Sequence, residues 1–488
     1  MAFWGDAIDT MLKQIRRLSW PLYFGGLCLL SMSLKGDVRV SNNWPGTVWE
    51  RDYATGEKQR VTALGPLMEQ RWEAMGTAKT FRPILTEFEN PTEETRESYF
   101  LYPLFGRKQS KYESRWNIFN LIKGNRKSSS QTDDELTIFP FYKSWRGDGP
   151  GGRKRALFPI VGRVDNFFWH DSISWFFFPL WLHSTKGDED YYSMPWPFIR
   201  WRKGPKTGGV GIWPFMGHYW KKGSYDHKFA LWFIMYVHRD HLERDVPTVK
   251  KGFLPFFASE SSEKVESRTW CWPFFGYVHK KDPEYRETHY LWPLFVQGSG
   301  ENERATNRWA PFYTHSTKHG VDKKWWLWPL LKKKHWKQDG LTIEQFQFLY
   351  FVIWGQRQYS ERDPSFMAEK SHFWPIHSYW DNGAGKKQFQ FFSPLEPFFQ
   401  ANQVVRTVYS PLFSLYRFTQ EMPGHTRRSF LFNLITYEKS PVRTQFTLGP
   451  LLEIEASPSR QGFSLLNGAF GLSKESGKKT FKILWMRF

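Results

Sequence analysis

An aromatic residue, a proline and two large apolar residues recur along almost the whole of this chain. That repeat constrains the fold before any single residue does. The fullest copy is Trp270-Cys271-Trp272-Pro273-Phe274-Phe275-Gly276. Others are Phe81-Arg82-Pro83-Ile84, Leu101-Tyr102-Pro103-Leu104, Leu157-Phe158-Pro159-Ile160, Trp196-Pro197-Phe198, Trp213-Pro214-Phe215 and Trp292-Pro293-Leu294. Later come Trp328-Pro329-Leu330, Trp374-Pro375-Ile376, Ser393-Pro394-Leu395, Ser410-Pro411-Leu412 and Gly449-Pro450-Leu451. Units without proline fill the gaps near Phe119-Asn120, Trp232-Phe233, Tyr350-Phe351, Phe432-Asn433, Leu466-Asn467 and Leu484. The period is about 17 to 24 residues, too short for a helical-hairpin repeat and too long for a turn of a tight β-helix.

Such a period suits one strand of roughly 10 to 14 residues and a turn. The units are rich in Trp, Phe, Tyr, Val and Ile, which favour a pleated surface. Turn formers and charge separate them, as at Lys186-Gly187-Asp188, Gly298-Ser299-Gly300, Asp381-Asn382-Gly383 and the run Gly147-Asp148-Gly149-Pro150-Gly151-Gly152. Consecutive strands joined by tight turns run antiparallel. The expectation is an all-β chain, one antiparallel meander of about 22 to 24 strands. In the copy at Pro273, Trp270, Trp272 and Phe274 share one face, and Cys271, Pro273 and Phe275 the other. Both faces are apolar at the centre, so the middle of each strand is read as out of water on both sides. An apolar centre of roughly 20 to 30 Å matches a thin outer membrane. The whole is expected to close as a large transmembrane β-barrel. Proline mid-strand lacks a ladder N–H. Two readings stay open: a row of bulges that curves the sheet, or units made of two short strands meeting at a corner.

Residues 1–33 read as a secretory signal. Lys13, Arg16 and Arg17 form a basic segment, Leu18 to Leu30 is a short apolar stretch, and Ser31-Met32-Ser33 supplies small residues for cleavage. An uncleaved membrane anchor is the rival reading. Residues 34–60 read as a periplasmic lead-in or linker. The β-repeat domain runs over 61–488, with one polar insert at Lys123–Glu135 that includes Ser128-Ser129-Ser130.

The chain ends Thr480-Phe481-Lys482-Ile483-Leu484-Trp485-Met486-Arg487-Phe488. This resembles the C-terminal recognition strand of bacterial outer-membrane β-barrel proteins, with Leu484, Met486 and Phe488 on one face of a terminal assembly strand. The repeat, as in Leu64-Gly65-Pro66-Leu67 and Tyr102-Pro103-Leu104-Phe105, is similar to that of large uncharacterised β-repeat proteins of Gram-negative-type bacteria. The resemblance implies the cell outer membrane, its assembly machinery as a partner, and no assigned activity.

The formal net charge is +20. Its basic residues are read mostly into turns, as at Arg202-Lys203-Gly204, Lys332-Lys333-Lys334 and Lys386-Lys387, where they meet lipid phosphates or lipopolysaccharide at a barrel rim. Nucleic acid is not expected, because the charge is spread over every turn and follows an export signal. Of the two cysteines, Cys28 leaves with the signal and Cys271 is expected to be a buried small hydrophobe.

No catalytic, cofactor-binding or metal-ligating set is assigned. Gly471 to Thr480 has the wrong spacing for a phosphate loop and reads as a hairpin turn. His238 and His241 lack a third ligand. Trp196, Trp213, Trp272, Trp292, Trp328 and Trp374 are expected to form a membrane belt or packed core. The function expected is a non-enzymatic outer-membrane barrel that forms a pore or handles lipid. The rival is a soluble periplasmic β-repeat, a propeller or a hydrophobic groove, that binds or supports a partner.

Overall fold

The computed structural model describes residues 38–487, apart from 74–75, 128–133, 147–152, 364, 400 and 476. The expected signal at 1–33, the middle of the polar insert, the glycine-rich run at 147–152 and Phe488 lie outside the described residues.

One antiparallel sheet of 46 strands runs from β1 (Val38–Asn43) to β46 (Met486–Arg487). Each strand pairs with the next in sequence, so the expected all-β meander is what forms. The strand number is double the expected 22 to 24, because each period is a hairpin and not a strand. The strands are mostly five or six residues and none exceeds eight.

The copy at Pro273 shows why. β25 (Val265–Trp270) and β26 (Phe275–Lys281) pair with Trp270 opposite Phe275. Cys271-Trp272-Pro273-Phe274 is the turn between them, closed by Phe274 N–H donating to the Cys271 carbonyl at 3.0 Å. The Trp272–Pro273 bond is cis, which with proline third in the turn makes it type VI. The prolines therefore sit in turns. Of the two readings, each unit is two short strands, joined by a hairpin turn and not a corner, and the row of bulges does not form. Copies without proline make the same connection with left-handed residues, as at Phe119-Asn120 (φ +50° and +57°) and Leu231-Trp232 (+51° and +54°).

Opposite ends of the hairpins are polar. Gln338 pairs with Leu341 around Asp339-Gly340, φ +53° and +76°, the two-residue turn that Asp-Gly favours. Glu475 pairs with Lys478, so the segment Gly471 to Thr480 is a hairpin, as expected. The sheet is thus a ribbon about 20 Å wide, with aromatic turns along one edge and polar turns along the other.

Three sequence expectations change. The segment at 34–60 holds β1, β2 (Thr47–Asp52) and the first half of β3 (Lys58–Ala63), with β1 and β2 joined by the turn Trp44-Pro45-Gly46. Ser393-Pro394-Leu395 and Ser410-Pro411-Leu412 are not strand centres. They lie within an insert between β37 (Lys387–Phe391) and β38 (Tyr416–Met422) that carries two short helices, α1 (Gln403–Val408) and α2 (Ser410–Phe413). Asn402 caps α1 by accepting from Val405 N–H, and proline starts α2 where no N–H is needed. Cys271 is exposed, because it opens a turn and does not line a strand.

The ribbon loops back on itself, and its first arm meets its last through side chains. Among the described residues β1 has backbone pairing on one edge only. Its other edge meets β41 (Thr444–Leu448), where the Gln445 side chain accepts from Val40 N–H at 3.0 Å and donates to the Val40 carbonyl at 2.7 Å. Arg443 donates to the Val38 carbonyl at 2.8 Å, and Asn42 to Thr447 at 2.9 Å. Further along, Glu50 pairs with Arg427 at 2.6 Å. Glu69 takes Arg60 and Arg71, each at 3.0 Å, and also Arg82. Arg82 is buried and reaches across to the Thr407 carbonyl of α1 at 2.7 Å. Tyr102 accepts from Asn402 at 3.0 Å. Among the described residues no ladder joins β1 to β46, so this polar seam is what closes the loop.

Gln445→Leu should free the edge of β1. It strands two backbone groups in a dry seam, at about 1–3 kcal/mol for each unpaired group. Hydrogen exchange should show protection lost over 38–52 and kept in β25 and β26. Unchanged exchange in β1 would show that the clamp is not needed.

Acid should weaken the same fold in two steps. Burial pushes His238 down to about 4, helped by the charge of His227, whose ring lies tilted against it at 4.5 Å. The unfolded chain then binds the proton first, so stability falls as pH drops from about 6.5 to about 4. Burial would raise Glu69, but Arg60, Arg82 and Arg71 outweigh it and hold its carboxyl well below the ordinary range. Glu50 is lowered in the same way by Arg427 and Arg60 against its burial. Their contribution is present above the ordinary carboxylate range and is lost as pH falls through their folded values. Unfolding midpoints at pH 7, 5 and 3 should fall at each step, and His238→Gln should flatten the first step and part of the second, because its loss runs on to about pH 4.

Candidate membrane-binding edge

Every connection from an odd-numbered strand to the next, the helical insert apart, lies on the aromatic edge. The six tryptophans singled out from sequence are brought together there, one in each of six turns. Trp196 and Trp328 are exposed, and Trp213, Trp272, Trp292 and Trp374 are half-buried. Rings touch from turn to turn: Phe158 to Phe178 at 5.3 Å, Phe178 to Trp196 at 5.4 Å and Trp213 to Trp232 at 5.5 Å. Between them stand side chains open to the surroundings, with Phe139 63%, Phe256 63% and Phe312 65% exposed. Of the terminal set, Leu484 lies in the last turn with φ +50° and Met486 follows it in β46.

The backbone of this edge is also supplied with partners. In turn after turn the first N–H donates to the last carbonyl of the turn before. Leu254 donates to Ile234 at 2.7 Å, Cys271 to Phe256 at 2.9 Å, Trp292 to Phe274 at 2.8 Å, Ala310 to Leu294 at 2.9 Å and Leu327 to Phe312 at 2.7 Å. In the four-residue turns Cys271–Phe274 and Leu327–Leu330 the fourth residue donates back to the first, and proline, in third position, brings no N–H at all. An edge built this way exposes apolar side chains and few backbone donors, which is what hydrocarbon tolerates.

The apolar layer is thin. At the Pro273 turn it comprises the turn and the pair Trp270 and Phe275. The next pairs inward are Thr269 with Gly276 and Arg268 with Tyr277. Its depth is roughly 7 to 10 Å at about 3.3 Å per residue, whereas a spanning strand needs about 9 to 11 residues.

Cations sit one to three pairs above that layer. Those at Arg202-Lys203 and Lys332-Lys333-Lys334 sit in strands and not in turns as expected, while Lys386 lies in a turn as expected. Arg202 lies in β18 (Ile199–Lys203), over the ring of Tyr219 at 4.5 Å, and donates to the Tyr225 hydroxyl at 2.7 Å. Lys332, Lys333 and Lys334 lie in β32 (Leu331–Gln338). His238 is in β22 (Met235–Asp240) against His227, and His241 is in the following turn, so the two do not converge. No group of three or more candidate metal ligands occurs among the described residues. No helix among them is long and apolar enough to cross a membrane.

Sequence reasoning missed the seam residues Arg82 and Gln445. Arg82 had a signal, since it stands in a turn where other copies carry Tyr102, Phe158 or Trp272. Gln445 had none. No protein-family model and no curated protein matches the chain.

Proposed function

We propose that this protein is a non-enzymatic membrane protein of the bacterial outer membrane that handles lipid, with its aromatic edge sunk into one leaflet. The observation that carries this reading is the confinement of apolar turns to one edge whose backbone N–H groups are bonded from turn to turn. Trp and Tyr favour the interface, Phe and Leu the acyl region below it, and Lys and Arg the phosphates above. The layer depth fits one leaflet better than a crossing. The export leader expected at 1–33 supports the outer membrane as the destination, where lipopolysaccharide would be a partner.

The test is tryptophan quenching by lipids brominated at different depths. Strong quenching by shallow bromines and little by deep ones is expected. Strongest quenching at the bilayer centre would replace this reading with a spanning barrel, and no quenching would leave the soluble repeat.

A pore is the second reading, favoured by the ribbon returning on itself and closing through a seam. It requires single-channel conductance in planar bilayers, which the lipid-handling reading does not.

A further inference from the structure

Five neighbouring strands near the middle of the loop carry an unusual surface on one face. They are β31 (Val321–Trp326), β32, β33 (Leu341–Phe348), β34 (Ile353–Ser360) and β35 (Met367–Phe373). The register aligns two rows across them. The row nearer the aromatic edge is Trp325, Lys332, Gln347, Trp354 and His372. The next row out is Lys323, Lys334, Gln345, Gln356 and Lys370. Neither row contains a carboxylate. The same face runs on through Ser378 and Gln390 to Arg417, so it is the face that meets the seam and lies inside the loop.

Lys323 is directly opposite Lys334, and Lys332 is the neighbour of both. Like charges directly opposite one another weaken a sheet. The opposite face of the same strands shows what ordinary design does, with Lys324 on Asp322 at 3.4 Å and Arg357 on Glu369 at 3.2 Å. On the inner face Lys323, Lys332 and Lys334 lie over aromatic rings. Lys332 and Lys323 lie 4.9 and 5.7 Å from the centre of Trp325, and Lys334 lies 4.1 Å from that of Trp336. Burial lowers the Lys332 ammonium below its ordinary value, and Lys323 and Lys334 add to this. Lys332 stands two residues beyond the end of the apolar turn Leu327-Trp328-Pro329-Leu330, whose Leu327 and Trp328 are exposed. That is the depth at which phosphates lie if the edge is in a leaflet.

We propose that Lys323, Lys332 and Lys334, with the amides of Gln345 and Gln347 beside them, form a binding site for the phosphate of an anionic lipid headgroup entering the loop from the aromatic edge. This rests on the membrane-edge reading. The lysine triad supplies the charge, Trp325 and Trp354 flank the headgroup, and the turn below receives the acyl chains. A free phosphate shares the chemistry but brings nothing for the apolar turn.

The test compares full-length protein with the variant Lys323→Gln/Lys332→Gln/Lys334→Gln on vesicles of phosphatidylcholine alone and vesicles containing phosphatidylglycerol. The unaltered protein should prefer the anionic vesicles by at least about ten-fold. The variant should lose that preference and keep its binding to phosphatidylcholine. Lys324→Gln/Lys333→Gln, on the outer face, should keep the preference. If the unaltered protein binds neither vesicle, the membrane-edge reading fails. If it binds both equally, or the triple variant still discriminates, only the headgroup site fails. Titration with inorganic phosphate separates the sources: triad-dependent phosphate binding without vesicle preference would overturn the lipid and leave free phosphate. Lys332→Gln should also raise the unfolding midpoint in the absence of anion. A fall would show that the lysines hold the sheet together, and would overturn the proposal.

Discussion

Arg82→Ala should open the loop while leaving most of the sheet intact. The Arg82 side chain is fully buried, and its guanidinium serves three partners at once: the Glu69 carboxylate, the Pro66 carbonyl and the Thr407 carbonyl across the seam. Removing one member of a buried pair typically costs about 3–5 kcal/mol, since the remaining charge stays buried. Glu69 keeps Arg60 and Arg71, so the lower part of that range is expected. Arg82→Lys should rescue little, because a point charge cannot reproduce a planar fork. The long meander need not unfold as one unit, so local readouts are the informative ones. Hydrogen exchange and proteolysis should increase over 393–415 and over 64–84, and the radius of gyration should rise. Unchanged exchange in both segments would show that the seam closes without Arg82.

The triple change Phe139→Asp/Phe256→Asp/Phe312→Asp should abolish vesicle binding with little effect on folding. All three side chains are more than half exposed, so little packing is lost. The backbone bonds of their turns are main-chain and remain available. Each substitution removes a Phe that gains up to about 1.5–3 kcal/mol on full burial, and adds a carboxylate that hydrocarbon rejects. Counting half of that per site gives about 4 kcal/mol, or about a thousand-fold in partitioning. Sedimentation with vesicles reads the loss, and an unchanged circular dichroism spectrum confirms the fold. The same three changes at polar-edge turns should do nothing. Retained binding in the aromatic-edge variant would sink the leaflet reading.

The period near 19 residues was legible because it is written in residue types that few other elements use. It correctly implied an all-β antiparallel meander. Its phase was not legible. Trp270 to Phe275 reads as the centre of a long buried strand when apolar runs are taken as strand centres, and as a hairpin turn when proline is taken at its word. Proline has no N–H to give a ladder, and that simple fact favoured the turn. The length of the strands and their number followed from that one choice. Trp44-Pro45-Gly46 could have been recognised as the first copy, which would have carried the sheet back to Val38.

The tryptophans chosen from sequence do share one edge, because a fixed period in a meander returns every copy to the same side. The cations above them were visible as composition, yet their face was not, since the two faces separate only once the register is known.

The sequence alone determined the local code: that the chain is extended, breaks at regular turns and repeats one short period over most of its length. These are short-range matters of backbone donors, side-chain bulk and period. Only the tertiary structure decided that the first arm meets the last, that Gln445 clamps the backbone of Val40, and that Arg82 reaches Thr407. Those contacts join residues more than three hundred positions apart. Their geometry is set by the accumulated twist and curvature of dozens of strands, a sum to which every residue contributes a little and which no local pattern records.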